Sequence, residues 1–354
     1  MKATDRSGEI AARVRTAAEQ ATPLRIVGGA SKDFYGRTSQ GEPLSVLGHD
    51  GVIDYEPSEL VMTARAGTPL QTVQDILADR GQMLAFEPPH FGAGATLGGA
   101  VACGLSGPRR PYAGAVRDFV LGVKIVNGGG ETLTFGGRVM KNVAGYDLSR
   151  LMAGALGTLG VLLDVSLKVL PTPAAEMTVW REATVEQALD WFNAWAGQPL
   201  PLSAAAFDGA RLYVRLSGTE QGIRQGHRRI GGDTLSDADA FWASIREQHH
   251  GFFDDTRPLW RLSVPPTAPP LDIDGRWFID WGGALRWLLT DAPVAEVRSA
   301  TARAGGHATL FRRGDPAGAV FHELPPALAA LQQRIKAAMD PAGILNPGRL
   351  YPDW

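Results

Sequence analysis

Val27-Gly28-Gly29-Ala30-Ser31-Lys32 closes the apolar run Leu24-Arg25-Ile26-Val27. The run reads as a strand. Consecutive small residues after a strand let backbone N–H groups converge on one point as an anion nest. A phosphate or pyrophosphate is the natural occupant, with Ser31 adding a hydroxyl donor and Lys32 a charge. A plain tight turn is the other reading of the same residues. A Walker loop is excluded, because no Gly-Lys-Ser/Thr follows at the required spacing. A Rossmann fingerprint is excluded too, because Gly-x-Gly-x-x-Gly is absent and no helical pattern follows.

The chain has 43 glycines, dense between Gly28 and Gly160. Glycine weakens helices and strands, so the density needs a reason: backbone running close to itself or to a ligand. Residues 88–114 read as a long irregular stretch, of the sort that is usually functional in a compact domain. Within it, Gly92-Ala93-Gly94-Ala95-Thr96-Leu97-Gly98-Gly99-Ala100-Val101-Ala102-Cys103-Gly104 removes side chains at Gly98 and Gly99. Either something flat or anionic approaches there, or two elements pack closely. Lys141-Asn142-Val143-Ala144-Gly145-Tyr146-Asp147 sets four polar side chains in seven positions between apolar flanks. Ala155-Leu156-Gly157-Thr158-Leu159-Gly160-Val161 leads into a strand. The backbone of Gly160 and Val161 can read a purine edge there, or simply make a turn.

Around these loops the elements are ordinary. Ile10, Val14 and Ala18 predict a helix over 9–20, and strands follow at 44–47 and 60–65. Thr68 reads as an N-cap, with Pro69 at the first helical position and Gln71 completing a capping box. Val73, Ile76 and Leu77 face inward on that helix, which Gly81 stops. Residues 119–126 and 131–135 form a hairpin about Asn127-Gly128-Gly129-Gly130. Leu163, Val165, Leu167 and Val169 alternate with polar residues as a half-buried strand ended by Pro171 and Pro173. Beyond it, strands at 177–180, 203–207 and 211–216 alternate with helices at 185–195 and 221–229. This β-α-β-β-α order suggests a ferredoxin-like layer. A loop at 264–270, a hairpin over 277–289, a helix at 293–304 and a strand at 307–312 come next. Leu328, Leu331 and Ile335 mark a last helix.

A length of 354 residues predicts more than one core. A net charge of -2 offers no basic field for nucleic acid and no polybasic tail for a membrane. No signal-like h-region and no apolar run of spanning length is present. Cys103 is the single cysteine, which excludes an internal disulfide and a thiolate-held cluster. The expected location is the cytoplasm.

Each glycine loop is a weak signal alone; their order is a strong one. The 28–32 loop is followed by Ala66-Gly67-Thr68-Pro69-Leu70 and Ala95-Thr96-Leu97-Gly98-Gly99. Then come residues 104–107, Tyr112-Ala113-Gly114, Val116-Arg117-Asp118 and Leu156-Gly157-Thr158-Leu159-Gly160-Val161. Over about residues 20–171 this set resembles the FAD-binding domain of the vanillyl-alcohol-oxidase and para-cresol-methylhydroxylase (PCMH) superfamily. Glu87-Pro88-Pro89-His90-Phe91-Gly92, Gly107-Pro108-Arg109-Arg110-Pro111-Tyr112, the 141–147 motif and residues 340–349 bring it closest to the FAD-binding subunits of bacterial glycolate oxidases.

The resemblance implies an α+β fold: a two-subdomain PCMH-type FAD-binding domain (1–172), a smaller ferredoxin-like α+β cap domain (173–315) and a C-terminal helix and tail (316–354) returning to the first. It implies FAD, with its pyrophosphate on Val27, Gly28, Gly29, Ala30, Ser31 and Lys32. Pro88, Thr96, Leu97, Gly98, Gly99, Ala102, Gly104 and Gly107 would run along the ribityl and isoalloxazine parts. Gly157, Gly160 and Val161 would hold the adenine end, Tyr112, Gly114 and Asp118 would close the pocket, and Asn346 would return toward the flavin. Many relatives attach the flavin to a histidine near the first loop. Here no histidine precedes His49, so non-covalent binding is expected. Oxidation of a 2-hydroxy acid such as glycolate asks for a base and a cation for the carboxylate. The His-x-Gly-Asp-Gly-Asn cap motif of related dehydrogenases is missing. His307 is the candidate base, and a structural histidine is the other reading. No metal site is expected; His249-His250 lacks a carboxylate at ligand spacing. The resemblance further implies a larger FAD-containing subunit and an iron–sulfur subunit as partners, with attachment to the inner membrane through that complex left open. A stand-alone oxidoreductase and a redox-silent structural subunit are the competing readings.

Overall fold

A computed structural model describes residues 4–137, 147–315 and 317–354. Helix α1 (Ser7–Glu19) leads to β1 (Leu24–Val27), which pairs in parallel with β2 (Glu42–Ser45). Then follow β3 (Val52–Glu56), β4 (Val61–Arg65), α2 (Leu70–Ala78), β5 (Gln82–Met83) and α3 (Leu97–Cys103). Two one-turn helices, α4 (Arg110–Ala113) and α5 (Val116–Phe119), precede β6 (Val120–Val126) and β7 (Thr132–Gly136). Helix α6 (Leu148–Leu151), β8 (Val161–Lys168) and β9 (Leu170–Pro171) complete this half. Its main sheet has the order β3-β4-β8-β6-β7.

Strand β8 lies at the centre of that sheet. Its odd-numbered face is fully buried, and on the other face Leu162 and Ser166 are buried while Asp164 and Lys168 keep some exposure, so it is more covered than its alternation suggests. Val161 and Leu163 join the core under α1, while Val165 and Leu167 join the core under α2 and α3. Ser166 sits between them without penalty because its hydroxyl meets that of Thr63 at 2.8 Å. Each such fully buried aliphatic side chain stabilises the fold by roughly 1.5–3 kcal/mol.

Two local expectations fail. Thr68 does not cap α2; its hydroxyl is taken by the backbone N–H and C=O of Gly51, and Pro69 stands at the N-cap. The 88–114 stretch is not irregular throughout. Residues 97–103 form α3, capped by Thr96 through Gly99 N–H at 3.2 Å and ended by Gly104 at φ +66°. Of the 141–147 motif only Asp147 falls within the described residues, where it caps α6 through Arg150 N–H.

The second half opens with β10 (Ala175–Glu182), α7 (Val185–Ala196), β11 (Leu202–Phe207), β12 (Arg211–Gly218), α8 (Glu220–Ile230) and β13 (Asp233–Thr234). This is a β-α-β-β-α-β unit with strand order β13-β10-β12-β11. The sheet does not stop there. After α9 (Ala238–Arg246), β14 (Leu259–Ser263), β15 (Arg276–Asp280), β16 (Leu285–Leu289), α10 (Val294–Arg303) and β17 (His307–Arg312) extend it to eight strands in the order β15-β16-β14-β17. The two parts join at the single pair Phe207–Ile279. Finally α11 (Pro326–Met339) crosses back to the first half, where Ile335 and Met339 pack on its core. Leu328 and Leu331, which mark this helix in the sequence, are 41% and 45% exposed. Only the last turns of α11 touch the core.

Candidate functional site

Strand β1 delivers the 28–32 loop to the edge of a cleft that also takes in α3, the 155–157 turn and the C-terminal Asn346 and Arg349. The backbone N–H groups of Gly28, Gly29, Ala30, Ser31 and Lys32 donate to no acceptor among the described residues. Five successive unspent amides at a cleft wall are a ready cradle for an anion. The loop is held in shape by its neighbours. A Cβ on Gly29 would lie 1.4 Å from the carbonyl oxygen of Gly94, so the two glycine loops press backbone against backbone. A Cβ on Gly28 would stand 2.9 Å from Thr96 Oγ1.

Helix α3 forms the next wall. Gly98 faces β4, where a Cβ would meet that of Ala66 at 2.6 Å; its glycine serves close packing. Gly99, whose nearest such neighbour is the Thr96 hydroxyl, lines the cleft with Thr96, Ala102 and Cys103. Opposite them run Met152, Ala155, Leu156, Gly157, Gly160 and Leu162. Asn346 ties this side to β1. Its Oδ1 accepts from Ile26 N–H at 2.7 Å and its Nδ2 donates to Leu156 C=O at 2.7 Å. Gly157, at φ +74°, leaves room for that amide.

The charge in the cleft is positive. Lys32 is 6% exposed and forms no ion pair with a carboxylate among the described residues, with Glu247 attracting it only from a distance; its Nζ donates to His90 C=O at 3.0 Å. Burial pulls its pKa below the ordinary lysine value. Glu247, just after α9, fixes that carbonyl's peptide by accepting from His90 N–H and Phe91 N–H at 2.9 and 2.8 Å. Arg349 also lines the cleft, donating to the carbonyls of Tyr35 and Arg37, and burial depresses its pKa too. Arg25 lines it beside Asp33. The Cys103 thiol is pushed up to about 11, chiefly by burial, and therefore stays protonated. A buried cation with no ion-paired carboxylate among the described residues, beside five free amides, suits a group carrying a doubly charged pyrophosphate.

Of the residues expected at the site, the structure gathers Gly28, Gly29, Ala30, Ser31, Lys32, Thr96, Gly98, Gly99, Ala102, Gly157, Gly160 and Asn346 around this cleft. The others lie outside its lining. Val27 and Val161 are ladder residues of β1 and β8. Leu97 is a buried core residue of α3, and Pro88 is buried. Gly104 packs on Gly154, and Gly107 packs on Glu87. Asp118 accepts from Ala115 N–H and so caps α5, with Gly114 against it. Tyr112 stands on α4 near Gly282. His307 is exposed at the first position of β17, opposite Ser263. Arg25 and Arg349 are cleft residues the sequence did not single out; for Arg349 the sequence signal was its place after Asn346-Pro347-Gly348. Among the described residues no group of three or more His, Cys, Asp or Glu could hold a metal. No helix among them is long and apolar enough to cross a membrane.

Comparison with known proteins agrees with this arrangement. The FAD binding domain family matches residues 4–136, and the C-terminal domain of FAD linked oxidases matches residues 318–350. The chain is 46% identical to the glycolate oxidase subunit GlcE of Escherichia coli, over all of its own length and 99% of that protein. It is 28% identical to a D-2-hydroxyglutarate dehydrogenase of Xanthomonas citri over 72% of this chain and 58% of that one. With the glycolate oxidase subunit GlcD of Bacillus subtilis the identity is 32%, over 36% of this chain and 27% of that one. The fold superposes on substrate-bound p-cresol methylhydroxylase with a TM-score of 0.71 at 14% identity, covering 98% of this chain and 87% of the other. The cleft, the two matched domains and the full-length likeness agree: the chain belongs to the GlcE family of glycolate oxidase subunits, FAD-dependent oxidoreductases of the PCMH fold.

Proposed function

We propose that this chain holds one FAD without a covalent bond and acts as a subunit of a glycolate oxidase complex, relaying electrons during oxidation of a 2-hydroxy acid. The observation that carries the cofactor assignment is the row of five amides at residues 28–32 that are unspent among the described residues, beside the buried Lys32, which forms no ion pair among them. Lys32 and the loop amides neutralise the pyrophosphate. Gly99 and Ala102 admit the flat part of the cofactor along α3, and Gly157 and Gly160 admit the adenine end. FAD, when bound, supplies the redox chemistry. The chain supplies position, charge and exclusion of water. The protonated Cys103 thiol does not attack the ring, since the thiolate is the nucleophile.

Residues 1–172 are the FAD-binding domain in this reading, 173–315 the cap and 316–354 the returning tail. The partners are a larger FAD-containing subunit, which binds glycolate, and an iron–sulfur subunit, which takes electrons onward. With one cysteine, this chain has no cluster of its own. The test is an absorption spectrum of the purified chain before and after anaerobic addition of glycolate, followed by denaturation and filtration. A flavin spectrum that glycolate leaves unchanged, with FAD released into the filtrate, is expected. Flavin retained on the denatured chain would overturn the non-covalent assignment. Bleaching by glycolate would replace the relay role with direct oxidation at this flavin.

A further inference from the structure

The 87–91 stretch is held in a shape that its own residues disfavour. Glu87 at φ +48° and Phe91 at φ +51° both lie in the left-handed region, which costs a non-glycine residue free energy. Such strain persists only where the surroundings impose it, and it gathers at binding and catalytic sites. At Phe91 the imposing group is Glu247. One of its carboxylate oxygens accepts from His90 N–H at 2.9 Å and from Phe91 N–H at 2.8 Å, and the other accepts from Arg246 Nε at 2.7 Å. The His90 ring is pinned separately, with Nε2 at 2.8 Å from Gln74 Oε1 of α2. With amide and ring both fixed, His90 turns its carbonyl to Lys32 Nζ at 3.0 Å. Glu247 is an unusual residue for its place. It is the C-cap of α9, where the helix dipole is negative and a carboxylate is disfavoured. Its side chain is only 14% exposed, so its charge is largely out of water.

We propose that Glu247 is a positioning residue of the second half that sets the Lys32 ammonium at the anion loop of the first, so that the second half takes part in binding the cofactor's pyrophosphate; the proposal rests on the FAD reading given above. Glu247 acts in two ways. Through the His90 carbonyl it fixes the place of Nζ, and through space its charge favours the ammonium over the neutral amine. Burial works against the ammonium and pulls the Lys32 pKa below the ordinary value, while Cys103 and Glu247 act to raise it. The Cys103 thiol on α3 is pushed up to about 11, chiefly by burial, so it carries no charge near neutral pH. Burial pulls the His90 ring below the ordinary histidine value, so the ring is neutral there too. Asp33 and Arg349 complete the cluster, and both act on Cys103. Glu247 is thus the anion that supports the charge of Lys32 in the flavin-free chain. When Lys32 loses its proton, its attraction for a pyrophosphate goes with it. FAD affinity therefore falls as pH rises through the Lys32 pKa, and the fall comes at lower pH when residue 247 is uncharged.

The test is titration of the full flavin-free chain with FAD at stepped pH from about 7 to about 10, followed by flavin fluorescence. Glu247→Gln keeps the length of the side chain and an oxygen for the two amides but loses the charge. It weakens FAD by about threefold to tenfold and moves the fall in affinity to lower pH. Lys32→Met flattens the pH profile. Adding Glu247→Gln to Lys32→Met changes the affinity by less than about twofold, because the lysine through which Glu247 acts is gone. Glu247→Asp keeps the charge but retreats from the amides. It weakens FAD without moving the fall in affinity, and it serves for the same comparison with Lys32→Met if the glutamine variant does not fold. Equal weakening with and without Lys32 means a merely structural contact and overturns the proposal. A parental pH profile in Glu247→Gln overturns it as well. A parent chain that binds no FAD at any pH overturns the cofactor reading and the proposal with it, a result distinct from FAD binding that residue 247 does not influence.

Discussion

Lys32 is the residue on which the cofactor assignment is most exposed to test. It is a buried cation that forms no ion pair with a carboxylate among the described residues. Such a charge costs stability in the absence of its anion. Lys32→Met should therefore raise the melting temperature of the flavin-free chain or leave it unchanged. It should also weaken FAD by about tenfold to a hundredfold, the range for a charge-assisted hydrogen bond. Titration of the flavin-free variant with FAD, followed by flavin fluorescence, checks this. Asp280 supplies a second prediction. Its folded pKa is raised from the ordinary 3.8 to about 7, mainly by burial. A raised acid contributes stability that is fully present below 3.8 and is lost as pH rises through about 7. Asp280→Asn should flatten the fall in stability across that window, measured as denaturation midpoints at stepped pH.

Helix α3 is the element that places the cleft wall, and its sequence disguises it. Gly98 and Gly99 each cost a helix up to about 1 kcal/mol against alanine. The helix survives because Thr96 caps it and because Gly98 lets it lie flat on the end of β4. Thr96→Ala should then cost about 0.5–2 kcal/mol of stability, while Thr96→Ser should restore most of it. Urea unfolding of the two variants separates the cap from mere volume. The same reasoning explains the unread elements. A glycine pair reads as loop until a neighbour is known to need the space. Strand β14, Leu259–Ser263, mixes Leu, Trp and Arg without clean alternation because both of its faces are covered. Leu328 and Leu331 look like a core stripe, yet α11 lies so that only its last turns meet the first half.

The two halves of the molecule are bound by buried charge as well as by apolar contact. Glu87, from the first half, accepts from Arg109 N–H and Nε and from Arg215 of β12. Arg109 also pairs with Glu176 of β10 at 2.5 Å. Both arginines are 6% exposed. Removing one partner of such a network leaves buried charge uncompensated, at a cost of roughly 3–5 kcal/mol. Glu87→Gln should lower the unfolding midpoint accordingly and loosen the flavin, because the adjacent 88–92 stretch carries the carbonyl that holds Lys32. Thermal unfolding monitored by both tryptophan and flavin emission tests whether the two losses coincide. At the opposite edge, Lys336 joins the tail to the cleft-lining 155–159 turn through Thr158 C=O, Asp340 and Leu345 C=O.

The glycine loops could be read without coordinates, and so could the first strand and the hairpin 119–135. Small residues after an apolar run leave the backbone few other options. The family likeness rests on the same local facts, taken in order along the chain. What each glycine is for was not legible. Gly98 meets Ala66, Gly29 meets Gly94 and Gly157 meets Asn346, all pairs far apart in sequence, so only long-range packing separates a glycine that serves a neighbour from one that faces a ligand. The arginines of the cleft were hidden for the same reason. A guanidinium on a strand carries no local sign of whether a carboxylate from another element will reach it. Arg215 finds Glu87, while Arg261 forms no ion pair with a carboxylate among the described residues and lies over the Trp281 ring, a difference made by the closure of the large sheet over the first half.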